Sequence, residues 1–172
     1  KAVEWFRKAA DQGYDSAQNM LGDCYANGYG VEKDNVKAVE WFRKAADQGY
    51  DSAQDMLGVC YANGYGVEKD YVKAVEWYRK AAEHGCDSAQ NRLGVCYANG
   101  RGAEKDDVKA VEWFRKAADQ GYYWGQYNLG LCYYNGDGVE EDDVKAVEWF
   151  RKAARQGHKE AQNALSKMGK TW

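Results

Sequence analysis

The sequence predicts an all-α solenoid, and three observations carry that prediction. The stretch Lys37–Val72, KAVEWFRKAADQGYDSAQDMLGVCYANGYGVEKDYV, recurs from Lys1, Lys73, Lys109 and Lys145, a period of 36 residues. Self-similarity at such a period marks units that bury their apolar faces only by stacking on their neighbours. Both halves of each copy show helical periodicity, and a glycine-rich break follows every pair of periodic segments with no strand-like alternation anywhere.

Taken in order, each copy writes two helices. In Lys37–Asp47, residues Ala38, Val39, Trp41, Phe42, Ala45 and Ala46 share one broad face, and Glu40, Arg43, Lys44 and Asp47 take the other. Asp34 reads as the N-cap of this helix and Gly49 as its left-handed stop, while Glu40 precedes Lys44 in the favourable order along the helix. Asp51–Ala62 reads as the next helix: Ala53, Leu57, Cys60 and Tyr61 form its apolar face, and Asp51 with Gln54 has the spacing of a capping box. Gly58 lies on its flank, where the lack of a side chain admits a close neighbour. Asn63-Gly64-Tyr65-Gly66 is then a turn, and Val67–Asp70 leads into the following helix.

Composition narrows the function classes. At 45% hydrophobic and 15% aromatic the chain has material for a continuous core, yet no run approaches the roughly 20 apolar residues of a membrane span. A net charge of −3, with both signs mixed through every copy, offers neither a basic footprint for nucleic acid nor a cationic face for a membrane. Cys24, Cys60, Cys96 and Cys132 occupy one position of successive copies, about 10 Å apart in stacked helices. That exceeds the ~7 Å reach of a disulfide, so they are expected to be thiols acting as small core hydrophobes, which leans towards a reducing, cytoplasmic compartment. The opening in mid-copy and without Met reads as a fragment, and leaves the compartment open.

The helix with Ala53, Leu57, Gly58 and Tyr61, the Gly64–Gly66 turn with Val67 and Asp70, and the helix with Lys73, Ala74, Trp77, Ala81, Ala82 and Gly85 together resemble the Sel1-like repeat, a relative of the TPR repeat, over essentially the whole chain. In the phase of that family, residues 1–172 form a single solenoid domain. It comprises an orphan second helix (1–14), repeats at 15–50, 51–86, 87–122 and 123–158, and a half-repeat or capping helix (159–172). The resemblance implies a right-handed α/α superhelix of antiparallel helix pairs, with first helices lining a concave groove, and a scaffold or adaptor role towards proteins or peptides. A cysteine-rich branch of the family bridges the two helices of each repeat in secreted proteins; this chain departs from it, with one cysteine per repeat except for Cys60 and Cys86 in 51–86.

An enzymatic reading finds no residues to rest on. None of Ser16, Ser52, Ser88 and Ser166 begins an S-x-x-K motif or sits in G-x-S-x-G. With two histidines, His84 at a helix end and His158 at a turn, and no C-x-x-C, neither a metal nor a cofactor is expected. The acidic pairs Asp106-Asp107 and Glu140-Glu141-Asp142-Asp143 lie just before second helices, where negative charge complements the helix N-terminus. The paired glycines recur in every inter-helix loop, as turns do.

Function is therefore sought where copies disagree. Positions Ser16, Asn19, Asp23 and Ala26 of the first helix, judged to face away from its core, are small or polar in the next two copies apart from Val59 and Val95. In the fourth they read Trp124, Tyr127, Leu131 and Tyr134, one stripe on a regular helix. Tyr123 replaces the acidic residue at the helix start and Gly125 replaces an alanine, either weakening the helix or making room for the large rings. The stripe is expected to anchor a protein or peptide, with Tyr123, Asn91, Arg92 and Val95 beside it; Arg101 is a further candidate for a carboxylate contact. Alternatives are a glycan or small-molecule platform, a self-association surface, an array without an evolved ligand, or packing of the rings on the next first helix or on Trp172. The divergent end, with Ser166, Lys167, Met168 and Gly169 where a first helix would have Gly22, Asp23, Cys24 and Tyr25, has the polar character of a capping element.

Overall fold

The computed structural model describes residues 2–171, and every regular element among them is an α-helix. The chain forms two compact units, residues 1–86 and 87–172. The first holds α1 (Ala2–Asp11), α2 (Asp15–Asn27), α3 (Asn35–Asp47), α4 (Asp51–Asn63) and α5 (Tyr71–Glu83). The second holds α6 (Asp87–Asn99), α7 (Asp107–Asp119), α8 (Tyr123–Asn135), α9 (Asp143–Arg155) and α10 (Lys159–Lys167). Within each unit the even-numbered first helices and odd-numbered second helices pack as consecutive pairs, so the all-α solenoid class predicted from the period is the one found.

The second helices bury the predicted face: Ala38, Val39, Phe42, Ala45 and Ala46 of α3 are inside. Trp41 lies at the edge of that face, half-buried, with the Lys44 ammonium 3.8 Å from its ring centre. First helices contribute Leu21, Leu57, Leu93, Leu129 and Leu165, all fully buried. The glycine on their flank is required by close approach. A Cβ at Gly58 would stand 2.5 Å from the Tyr78 ring, and one at Gly130 would stand 2.7 Å from the Phe150 ring.

Asp34 caps α3 by accepting from the backbone N–H groups of Val36 (3.1 Å) and Lys37 (3.0 Å), and its other oxygen meets the Lys37 ammonium at 3.0 Å. Asp70 caps its helix in the same way, and Asp106 and Asp142 accept from the Lys109 and Lys145 N–H groups; hydrogen bonds from Lys37 and its counterparts hold all four carboxyls below the usual carboxylate range. The first helices differ from expectation. Their N-cap is Tyr14, Tyr50 or Tyr122, and Asp51 is already the first helical residue, accepting from the Ser52 N–H at 2.6 Å. No capping box forms, because Gln54 turns inward instead and donates to the Ala46 carbonyl at 3.2 Å.

These inward glutamines build a polar rung in each repeat. Gln48 donates to Gln18 (2.8 Å), Gln120 to Gln90 (2.7 Å) and Gln156 to Gln126 (2.9 Å). The rung fails once: His84 stands where Gln48 would, and the Gln54 side-chain oxygen is buried without a partner among the described residues.

Candidate functional site

Helix α8 presents Trp124, Tyr127, Leu131 and Tyr134 along one side, as their spacing requires, but the stripe divides into two environments. Tyr127, Leu131 and Tyr134 line a cleft of about 330 Å³ whose opposite wall is the Glu160, Asn163, Ala164 and Lys167 face of α10, with Phe150 and Met168 completing it. Trp124 and Tyr123 instead gather with Tyr127 around His158. Ring centroids lie 4.4 Å from the imidazole for Trp124, 4.7 Å for Tyr127 and 5.4 Å for Tyr123. Trp124 and Tyr123 keep 37% and 38% of their surface exposed, and Tyr134 keeps 46%, so the cluster and the cleft both reach solvent. Trp172 lies outside the described residues.

His158 is the residue that sequence reasoning passed over. Placed by the sequence at a turn, it is 4% exposed and is the N-cap of α10, where its Nδ1 accepts from the Ala161 N–H at 3.2 Å. An accepting Nδ1 puts the proton of the neutral ring on Nε2, a buried atom with no hydrogen-bond partner among the described residues. Burial pushes the imidazole below its ordinary value of 6.5, against a smaller upward pull from Glu160, whose carboxylate lies 3.5 Å from Nδ1. His158 is thus a neutral aromatic lock that fastens the start of α10 to the start of α8. A signal for it was present: it replaces Tyr14, Tyr50 and Tyr122 immediately after the copy that gained Trp124.

Gly125 serves helix packing rather than the rings beside it. It is buried, and a Cβ there would stand 2.7 Å from the Ala117 Cβ and 2.9 Å from the Ala118 nitrogen, so α8 sits closer to α7 than an alanine permits.

The remaining candidates lie on the other side of α8. Asn91 is 8% exposed, and its side-chain oxygen accepts from Asn128 at 2.8 Å, tying α6 to α8. Val95 and Leu131 share a second cleft of about 390 Å³. Arg92 is half-buried and Arg101 exposed; neither lines either cleft. The positions equivalent to Tyr127, namely Asn19, Asp55 and Asn91, are all buried. The stripe is therefore the packing seam of the first helices as well as their outward edge.

No group of three or more metal-ligating side chains occurs among the described residues, and no described helix is long and apolar enough to cross a membrane. The cysteines carry thiols, four of them buried; desolvation pushes Cys60 and Cys96 up to about 11 and Cys132 up to about 12.

Comparison with known proteins gives a consistent pattern. The Sel1 repeat family matches at residues 1–14, 15–50, 51–86, 87–122 and 125–158. A protective antigen of uropathogenic Escherichia coli with the same repeat fold is 46% identical over 96% of this chain, with a TM-score of 0.92. A Sel1 repeat protein of Oxalobacter formigenes is 38% identical over 96% of the chain, with a TM-score of 0.91. An immunity protein of Pseudomonas aeruginosa is 28% identical over 92%, with a TM-score of 0.63. The chain spans 36%, 66% and 59% of the lengths of these three proteins. No curated protein matches the chain.

Proposed function

As this chain belongs to the Sel1 repeat family, whose members are generally protein-interaction scaffolds and typically not enzymes, we propose that it is a non-enzymatic scaffold whose first-helix surface binds a segment of another protein, with the α8–α10 cleft as the seat. One observation carries this reading: Tyr127 and Tyr134, large where other copies are small or polar, and Leu131, where two copies have valine, line a single open cleft of about 330 Å³. Aromatic side chains offer large, rigid contact area at low entropic cost, and the polar face of α10 opposite them supplies hydrogen-bond partners at the rim. Trp124 and Tyr123 serve the site by holding α10 through His158 and by extending the apolar surface beyond the cleft. The immunity protein of Pseudomonas aeruginosa, similar along most of this chain, supports a role exercised through another macromolecule rather than through chemistry on a small substrate.

The test must spare the His158 lock, so Leu131 and Tyr134 are the residues to change. Peptides enriched from a displayed random library on the intact chain are expected to lose about tenfold or more in affinity for Leu131→Ala/Tyr134→Ala, with helical circular dichroism unchanged. Enriched peptides that bind this variant as tightly as the parent chain would remove the cleft from the account.

A further inference from the structure

We propose that the occupant of the α8–α10 cleft is a dipolar protein segment: a lysine or arginine, two or three apolar residues, then an aspartate or glutamate, in either chain direction. The inference rests on the docking reading above and adds the charge and spacing of the partner. Glu160 and Lys167 stand on the same face of α10 and both line the cleft. Seven residues of helix separate them, about 10.5 Å along the axis. An extended chain rising ~3.3 Å per residue covers that distance in about three residues.

Neither charge is neutralised by another of the described residues. Lys167 takes part in no ion pair among the described residues. Among the described residues the basic group within 4 Å of the Glu160 carboxylate is the His158 imidazole, whose Nδ1 is already occupied by the Ala161 N–H and whose burial disfavours its charge. The Glu160 side chain is 57% exposed. A cation arriving there also meets the Tyr127 ring, which lines the same cleft, and gains its quadrupole. Beside the two charges the lining is largely apolar, from Leu131, Phe150, Ala164 and Met168, with Asn163 the polar residue between them on α10. The second cleft shows what a self-satisfied lining looks like: its Lys105 and Asp107 pair with each other at 3.2 Å, and Asp137 accepts from Asn135 at 3.1 Å. In the α8–α10 cleft the complementary charges are left for a partner to bring.

The test is a nuclear magnetic resonance titration of the isotope-labelled chain with four blocked peptides: Gly-Arg-Leu-Leu-Glu-Gly, its Arg/Arg and Glu/Glu counterparts, and the neutral Gln/Gln form. The dipolar peptide is expected to bind tightest, about fivefold better than the neutral one, the scale of one solvent-exposed ion pair. Glu160→Gln or Lys167→Gln should shrink the ratio of dipolar to neutral peptide affinity; an unchanged ratio would overturn the dipolar preference. Equal binding of all four peptides, lost together in Leu131→Ala, would overturn the dipolar preference and leave the docking seat standing. Absence of any shift on α8 or α10 would overturn both. Concentration-dependent shifts at Leu131 and Met168 without peptide would assign the cleft to a second copy of the chain and overturn the proposal.

Discussion

His84 and His158 are the two histidines of this chain, and each stands where the repeat would place another residue, with opposite consequences. His84 is exposed at the end of α5 and leaves the Gln54 oxygen buried and unpartnered. His84→Gln is expected to complete the rung and stabilise the protein by about 1 kcal/mol, read as a raised urea midpoint; an unchanged midpoint would mean that the orphan costs nothing. His158 is buried, and its ring is held neutral. Since the folded ring binds its proton less readily than the unfolded one, its contribution is complete above about pH 6.5 and is lost as pH falls through the lower folded value. Between about pH 7.5 and pH 5 the protein should lose more stability than its His158→Tyr variant, and an equal loss would contradict the buried neutral ring. Both histidines were visible in the sequence as departures from the repeat. Their burial was not, because one exposed and one enclosed position look alike when the neighbour that covers the latter, Trp124, sits 34 residues away.

Among the helices, α8 shows what periodicity could and could not deliver. Its stripe was legible because helical spacing fixes which side chains share a face. Its surroundings were not, because an angle on a helix does not say which neighbour lies there: Asn19, Asp55 and Asn91, read as facing outward, are buried against adjacent structure. Gly58 was foreseen as a close-approach position, and its counterpart Gly130 provides a measurement. Gly130→Ala places a methyl 2.7 Å from the Phe150 ring, and Phe150 is also part of the cleft lining. The substitution should cost about 1–3 kcal/mol through overpacking despite its better helix propensity, read by denaturant unfolding. A gain in stability would show that α9 yields freely. At the opposite end of the cleft, α10 carries Ser166 where every earlier first helix has this glycine, so α10 lacks the notch that receives a ring from a following second helix.

For the whole molecule, the 36-residue period was enough to predict the fold class, since repeated units with matched apolar faces have few ways to stack. It also foretold the thiols, and their burial has a measurable effect. During brief iodoacetamide treatment near pH 8, half-buried Cys86 should alkylate well before Cys60, Cys96 and Cys132, whose thiolates are suppressed by desolvation. Uniform labelling in intact-mass spectra would contradict that order. The docking seat was less legible than the fold, because its far wall comes from α10, a segment whose polar composition marked it as a cap. The proposed seat would receive a partner segment between α8 and α10. The most direct measurement is the set of intermolecular nuclear Overhauser contacts between a selected peptide and methyl-labelled chain. Contacts to the methyl groups of Leu131 and Met168 are expected; contacts confined to other methyl groups, with these two silent, would rule out this seat.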